Sequence, residues 1–427
     1  MMKLQCLGAA QEVGRSGFVL DTGSERILMD YGIKVVTGAE GVDQPAFPMA
    51  ASVKLDGVVV SHAHLDHGGF VPSLYNRGYR GPVHASATTL DLMDLLLKDS
   101  LKLAKIKGHG IGYFSKDVST MYANAFRVAY GQQFEIGNSQ VMFYDAGHIP
   151  GSGQAVIDTG KGVVVYTGDM KVEKTELLNG LSPVREDVKT LIIESTYGTK
   201  EHPNRDETEK HLIKRIREAV NNDGVALVSS FAVGRAQELL LVLEKYGIDV
   251  PIYVDGMCRD ATAIALRYSE FLRYPQMLQR VFARAKKVTN NQAREKILKK
   301  KHPCVIITTS GMLNGGPVAH YLEHLKDDRN SYLAMTGFQA EGSAGKALLE
   351  TGVYKTEKKE FKLKVPFEKL DFSAHAGRSE LVNYIKTLNP ERVVCIHGED
   401  TKKFAAALKE EHGFDAVAPA VGDTIDV

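Results

Sequence analysis

No tryptophan occurs in the 427 residues, and no apolar run approaches the length of a membrane span. Stretches such as Gly57-Val58-Val59-Val60 fall far short of the roughly 20 apolar residues that a bilayer-crossing helix needs. The opening residues Met1-Met2-Lys3-Leu4-Gln5-Cys6 lack the long apolar region of a secretory signal. Cysteine is scarce: Cys6, Cys258, Cys304 and Cys395 are scattered and form no CxxC pair. That argues against a disulfide framework and against thiolate zinc sites, and fits a reducing cytoplasm. The formal net charge is only +1, so no whole-molecule field draws in a polyanion, and any such site must be a local patch. Internal repeats and low-complexity tracts are also missing, and nothing follows from the lack of tryptophan.

What is present is an ordinary globular composition, 44% apolar and 25% charged, in a chain long enough for two domains. The first half reads as short strands with tight turns. Residues 17–21 and 26–30 flank Thr22-Gly23-Ser24, a hairpin signal, and residues 90–107 carry leucines at helical spacing. Strands ending in polar residues recur at Asp30, Ser61, Asp145, Asp169 and Glu194, a pattern that suits an active site along one edge. Near residue 205 the character changes. Helices at 206–221, 234–246 and from 260 alternate with strands at 225–229, 252–254, 304–308 and 331–335, which predicts a parallel α/β sheet. The tail returns through a strand at 362–365, a helix at 379–388 and a strand at 392–396.

The chemistry centres on His62-Ala63-His64-Leu65-Asp66-His67, directly after a strand. Three imidazoles and a carboxylate without thiolate suit a catalytic zinc site that keeps a position open for water. The alternative, a solvated loop rich in histidine, weakens as further strand-end ligands appear: His148, Asp169 and His397. Taken together these make two sites. One ion would use His62, His64 and His148, the other Asp66, His67 and His397, with Asp169 bridging. Two metals about 3.5–4 Å apart can clamp the attacking and leaving oxygens of a displacement, and water between them ionises near neutral pH.

The order Asp30, HxHxDH, His148, Asp169 resembles the first four motifs of the metallo-β-lactamase superfamily. Glu194 in Leu191-Ile192-Ile193-Glu194, His375 in Asp371-Phe372-Ser373-Ala374-His375 and His397 resemble motifs A, B and C of its nucleic-acid-processing β-CASP group. The segments Ser230-Phe231-Ala232-Val233-Gly234-Arg235, Thr309-Ser310-Gly311-Met312-Leu313 and Thr336-Gly337-Phe338-Gln339-Ala340-Glu341-Gly342 agree with it. The resemblance spans nearly the whole chain. It implies a four-layer αββα metallo-β-lactamase domain in two parts, 1–204 and 361–427, with an α/β β-CASP domain containing a parallel sheet inserted at 205–360. Histidine rather than valine at motif C implies RNA rather than DNA. The chain is similar to archaeal homologues of the endonuclease subunit of the cleavage and polyadenylation specificity factor. It departs from their longer form, which carries N-terminal KH domains, and lacks the C-terminal extension typical of bacterial RNase J.

The resemblance implies a ribonuclease with two Zn²⁺ per chain, acting on single-stranded RNA in processing or decay as endonuclease, 5′-3′ exonuclease or both. A metal-bridging hydroxide would attack phosphorus. His375 would donate to the departing oxygen, Glu194 would set its tautomer, and Asp30 would orient a ligand histidine. On the residues alone, Asp30 also reads as a strand-capping turn and His375 as a structural histidine. The turns bearing Ser230 and Arg235, Ser310 and Gly311, and Gly337 are expected to line an anion-binding sheet edge. Arg280, Arg284, Lys286, Lys287, Arg294, Lys296, Lys299, Lys300 and Lys301 form a basic stretch that tracks RNA or is simply a solvated helical surface. Two other readings stand beside these: a catalytically silent RNA-binding scaffold, and a small-ester hydrolase. Homodimer or processing-complex partners are compatible with each; a membrane is not.

Overall fold

The computed structural model describes residues 2–37, 43–300 and 302–427. Two seven-stranded sheets pack face to face. The first runs, in spatial order, through Thr424–Asp426, Lys3–Gly8, Gly17–Asp21, Arg26–Tyr31, Gly57–Val59, Val83–Ala85 and Ala125–Arg127. The second runs through Ala416–Val417, Arg392–Ile396, Val188–Glu194, Val163–Tyr166, Gly153–Asp158, Ser139–Asp145 and Gln133–Ile136. Side chains alternate between faces along each strand. Phe18, Leu20, Ile27 and Met29 therefore meet Phe143, Ile157, Tyr166 and Ile192 in a dry inner layer. The opposite partners, Val19, Leu28 and Val58, pack under the helices Pro72–Asn76, Ala87–Lys107 and Ser115–Ala123. On the far side Val165, Leu191, Ile193 and Val393 pack under Arg378–Leu388 and Thr401–His412. This is the expected αββα arrangement, and each fully buried aliphatic or phenyl side chain contributes about 1.5–3 kcal/mol to it.

The change near residue 205 is a helix, Arg205–Asn221, whose first turn is capped by Asn204 Oδ1 accepting from Glu207 N at 3.1 Å. From there the chain builds a third sheet in the order Lys286–Val288, Ile252–Asp255, Cys304–Thr308, Val225–Ser229, Tyr332–Met335 and Phe367–Lys369, parallel throughout. Helices cover both faces, as the alternation of strand and helix requires. The strand Phe367–Lys369 pairs with Tyr332–Met335, so this sheet runs past position 360, where the sequence pattern ends it. A strand at 362–365 is also relocated. The hairpin Val353–Thr356 with Lys359–Lys362 precedes it, and the sheet strand follows at 367.

Backbone hydrogen bonds tie the loop 62–67 to the neighbouring segments of the first sheet. Ser16 N donates to Asp66 O, Ile33 N to Leu65 O and Gly32 N to Ser16 O, each at 2.8 Å. Gly32 lies so close to this loop that a Cβ would sit 1.9 Å from the carbonyl carbon and oxygen of Asp66. Backbone cannot swing aside, so Gly32→Ala should cost about 1–3 kcal/mol of stability and lower metal occupancy. Gly110→Ala, with open space around it, should do neither. Urea unfolding with metal content measured on the same samples checks both.

Candidate active site

His62, His64, Asp66 and His67 lie on the turn and short helix that follow Gly57–Val59, and the other ligands arrive from the second sheet. His148 sits in a tight loop after Ser139–Asp145. Ser152 Oγ accepts from His148 N and Ile149 N (3.1 and 3.2 Å), while Ser86 Oγ and Thr89 Oγ1 both donate to Gly151 O. Asp169 follows Val163–Tyr166, and His397 follows Arg392–Ile396. His397 has φ of +47°, a strained conformation for a residue with a side chain. It is held by His397 N donating to Ala9 O at 2.7 Å and Thr196 Oγ1 donating to His397 O at 3.1 Å.

Donor atoms converge in two groups. His64 Nδ1 is 3.2 Å from both His62 Nε2 and His148 Nε2, and Asp169 Oδ2 is 3.6 and 3.8 Å from the latter two. In the second group, Asp66 Oδ2 is 3.4 Å from His397 Nε2 and 4.0 Å from His67 Nε2. Asp169 Oδ2 is also 3.3 Å from His67 Nε2, so one carboxylate oxygen faces both groups. Metal–nitrogen bonds of about 2.0–2.1 Å place the corners of a tetrahedron about 3.3 Å apart, so this spacing fits a zinc-sized ion.

Tautomers agree with it. A carboxylate or carbonyl only accepts, so His67 Nδ1–H donates to Asp30 Oδ2 at 2.7 Å and His148 Nδ1–H to Ala374 O at 2.8 Å. Ser61 Oγ–H donates to Asp30 Oδ2, so its oxygen accepts from His62 Nδ1–H at 3.0 Å. All three Nε2 lone pairs are thereby turned inward. His397 Nε2 is buried and makes no hydrogen bond.

The electrostatics call for a cation. Burial pushes the imidazoles of His62 and His148 well below their usual range and that of His64 down to about 4, which keeps them neutral as ligands must be. Burial also opposes charge on Asp66, Asp169 and His67, but here it is outweighed. His67 with His397 holds the two carboxyls well below the usual range, and Asp169, Asp30 and Asp66 lift His67 well above its own.

Asp30 lies at the end of Arg26–Tyr31, fully buried, and accepts from Ser61 N, Ser61 Oγ, His67 Nδ1 and Tyr166 OH at 2.6–2.7 Å. It is part of the site's support rather than a mere turn residue. His375 and Glu194 stand beside the ligands. His375 Nδ1–H donates to Glu194 Oε1 and Oε2 at 3.0 and 3.1 Å, and its ring centroid is 4.7 Å from that of His148. Burial alone would discharge His375, yet Glu194 and then Asp169 raise it to about 9. Glu194 is itself held by Met170 N at 2.8 Å.

The turns expected to bind phosphate do gather at one edge of the third sheet, next to the metal ligands. A Cβ on Gly234 would meet Ile149, the neighbour of His148. Their parts differ from expectation, however. Ser230 Oγ faces inward to Cys258 Sγ at 3.8 Å, and Ser310 Oγ donates to Gly315 O. Gly311 and Gly337 make room for the Phe231 backbone and ring, so their lack of a side chain already has a packing cause. Arg235 remains, half-buried and donating to Thr336 O at 2.7 Å, its guanidinium drawn down to about 10 by burial and by Arg205. The basic stretch is divided between the helix Pro275–Arg284, the strand Lys286–Val288 and the helix Asn291–Lys299. Arg284 pairs with Glu244 and Arg294 with Asp255; Lys301 lies outside the described residues.

Sequence patterns did not single out Tyr166, Thr196 and Arg205. Tyr166 ends an otherwise all-valine strand three residues before Asp169, a signal for a hydroxyl with a task. Arg205 stands at the expected start of the insert, donates to Ser373 O at 2.9 Å and keeps a second buried nitrogen, Nη1, without a hydrogen bond.

Asp30 has φ of +55°, which asparagine also tolerates, so Asp30→Asn removes the charge while sparing the backbone. It should keep the fold and weaken metal binding about 10- to 100-fold. Competition with a chromophoric chelator, alongside a melting curve, measures this.

Three family models match the chain: the metallo-beta-lactamase superfamily over residues 14–201, the Beta-Casp domain over 236–348, and the Zn-dependent metallo-hydrolase RNA specificity domain over 362–419. "Probable RNase MJ4" of Methanocaldococcus jannaschii is 37% identical over 100% of both chains. "Transcription termination factor FttA" of the same organism is 38% identical over 94% of this chain and 67% of its own. "RNase aCSPSF2" of Saccharolobus solfataricus is 34% identical over 99% and 85%. A crystal structure of a protein of unknown function from Enterococcus faecalis V583 shares the fold with a TM-score of 0.63 at 14% identity, over 99% of each chain. By sequence, fold and the nature of its site, the chain belongs to the β-CASP ribonuclease family of the metallo-β-lactamase superfamily and is a metal-dependent hydrolase.

Proposed function

We propose that this chain is a ribonuclease that hydrolyses phosphodiester bonds of single-stranded RNA in processing or decay, with two Zn²⁺ per chain held by His62, His64, His148, Asp66, His67, His397 and the shared Asp169. Bound there, the ions would supply Lewis-acid neutralisation of phosphoryl oxygens and lower the pKa of water. The observation that carries the reading is His375, which belongs to none of the candidate ligand groups yet is hydrogen-bonded to Glu194 beside them. Glu194 holds the proton on Nδ1 and stabilises the imidazolium, so Nε2–H is the donor for the departing oxygen. Water gives up a proton to solvent as its oxygen bonds to phosphorus, the P–O bond to the leaving nucleotide breaks, and that oxygen leaves with the proton from His375, which solvent then restores. Arg205 and Arg235 flank this corner as partners for backbone phosphate.

The relatives named RNase support RNA as substrate. A silent scaffold would not need seven donors at bonding separations, and a small ester would not need the third sheet beside them. All four cysteines are buried and unpaired, in keeping with a reducing compartment. Among the described residues no helix is long and apolar enough to cross a membrane.

On 5′-labelled single-stranded RNA, a His64→Ala, Asp66→Ala double variant should lose cleavage. His375→Ala should lose about 10²- to 10⁴-fold in kcat with KM and zinc content unchanged, whereas Arg235→Ala should raise KM. Cleavage by the double variant at the wild-type rate would overturn the reading. Product sizes from 5′-monophosphate and 5′-triphosphate substrates separate internal cutting from 5′-end digestion.

A further inference from the structure

A second group of metal-ligand side chains lies outside the active site, on the third-sheet domain. His320 and His324 are four residues apart on the helix Pro317–Leu325, so both point from one face, with ring centroids 4.6 Å apart. Glu295, on the neighbouring helix Asn291–Lys299, places Oε1 3.2 Å from each Nε2. All three ligand atoms lie within 4.8 Å of one another. The spacing matches the roughly 3.3 Å between donors around a tetrahedral zinc.

Two details of the ring nitrogens bear on this group. His324 Nδ1 lies 3.0 Å from His320 O, which only accepts, so Nδ1–H donates there and Nε2 is the ring nitrogen that faces Glu295. His320 Nε2 is buried and makes no hydrogen bond despite its closeness to the carboxylate. Nearby cations do not compete for Glu295: Arg294 is held by Asp255, and Lys359 by Glu323.

We infer that His320, His324 and Glu295 form a zinc-class cation site with one position left open to water, distinct from the catalytic centre. Its consequence is mechanical. No residue of Asn291–Lys299 is fully buried, and only Ile297 and Leu298 reach the core beneath it. An ion joining Glu295 to the next helix would clamp an element that apolar packing holds weakly.

The test uses the full chain and Zn²⁺ alone. After equilibrium dialysis, His320→Ala, His324→Ala protein should carry one zinc per chain fewer than wild type and cleave RNA at the same rate. In the His64→Ala, Asp66→Ala background, added Zn²⁺ should slow amide exchange across 291–299. Glu295→Gln, which leaves both histidines in place, should abolish that slowing. Equal zinc content in wild type and the double-histidine variant, or exchange at 291–299 indifferent to Zn²⁺, overturns the site. Failure of every variant, wild type included, to cut RNA would count against the ribonuclease reading, while the difference in zinc content would still decide for or against this site.

Discussion

One buried carboxylate couples the two sheets to the candidate metal ligands. Asp30 comes from the first sheet, and its four donors come from Ser61 and His67 on the ligand loop and from Tyr166 on the second sheet. A charge sealed from water costs several kcal/mol unless it is paired and fully hydrogen-bonded. Meeting that requirement fixes where the ligand loop can stand relative to Tyr166, and so relative to Asp169 three residues on. The tautomers of His62 and His67 follow from the same carboxylate, one through Ser61 and one directly. The left-handed backbone at Asp30 is the local cost of aiming a short side chain at all four partners at once.

The second sheet solves a separate problem, the supply of ligands remote in sequence. Val188–Glu194 and Arg392–Ile396 are parallel neighbours, with Glu194 opposite Ile396. The chain leaves this edge, builds an entire further sheet, and re-enters on the adjacent strand. Because exit and return are neighbours, the inserted domain adds a surface beside the ligands without disturbing the register that holds them. His397 and Glu194, remote along the chain, thereby sit at the end of the same strand pair. The Ala374 carbonyl and His375 reach the site from the segment between the third sheet and the returning helix.

Within the site, roles divide by electrostatics. Neutral imidazoles gather in one group. The other holds carboxylates, which with Asp30 raise the proton affinity of His67. His375 differs from both, since its partner Glu194 and the nearby Asp169 favour a protonated ring that faces the ligands without joining them. Like charges at such short range persist only because a packed scaffold forbids them to relax apart, and the bare Gly32 lets the backbone of Asp66 pack into that scaffold.

Much of the chemistry was legible from local order. HxHxDH after an apolar strand, and polar residues closing successive strands, mark candidate ligands because a strand end is where side chains can leave the core without leaving the scaffold. Period-2 alternation and the switch to strand–helix alternation near 205 are equally local, and they set the fold class. What sequence could not decide were contacts across large separations: Tyr166 to Asp30, Arg205 to Ser373, and Phe367–Lys369 joining the third sheet beyond position 360. Nor could it tell that Ser230 turns inward, or that Gly311 and Gly337 serve Phe231, since an inward and an outward side chain read alike until both neighbours are packed. Residue types fixed which atoms were able to bind a metal. Only the packing of the two sheets brought those atoms to within 3.2–4.0 Å of one another.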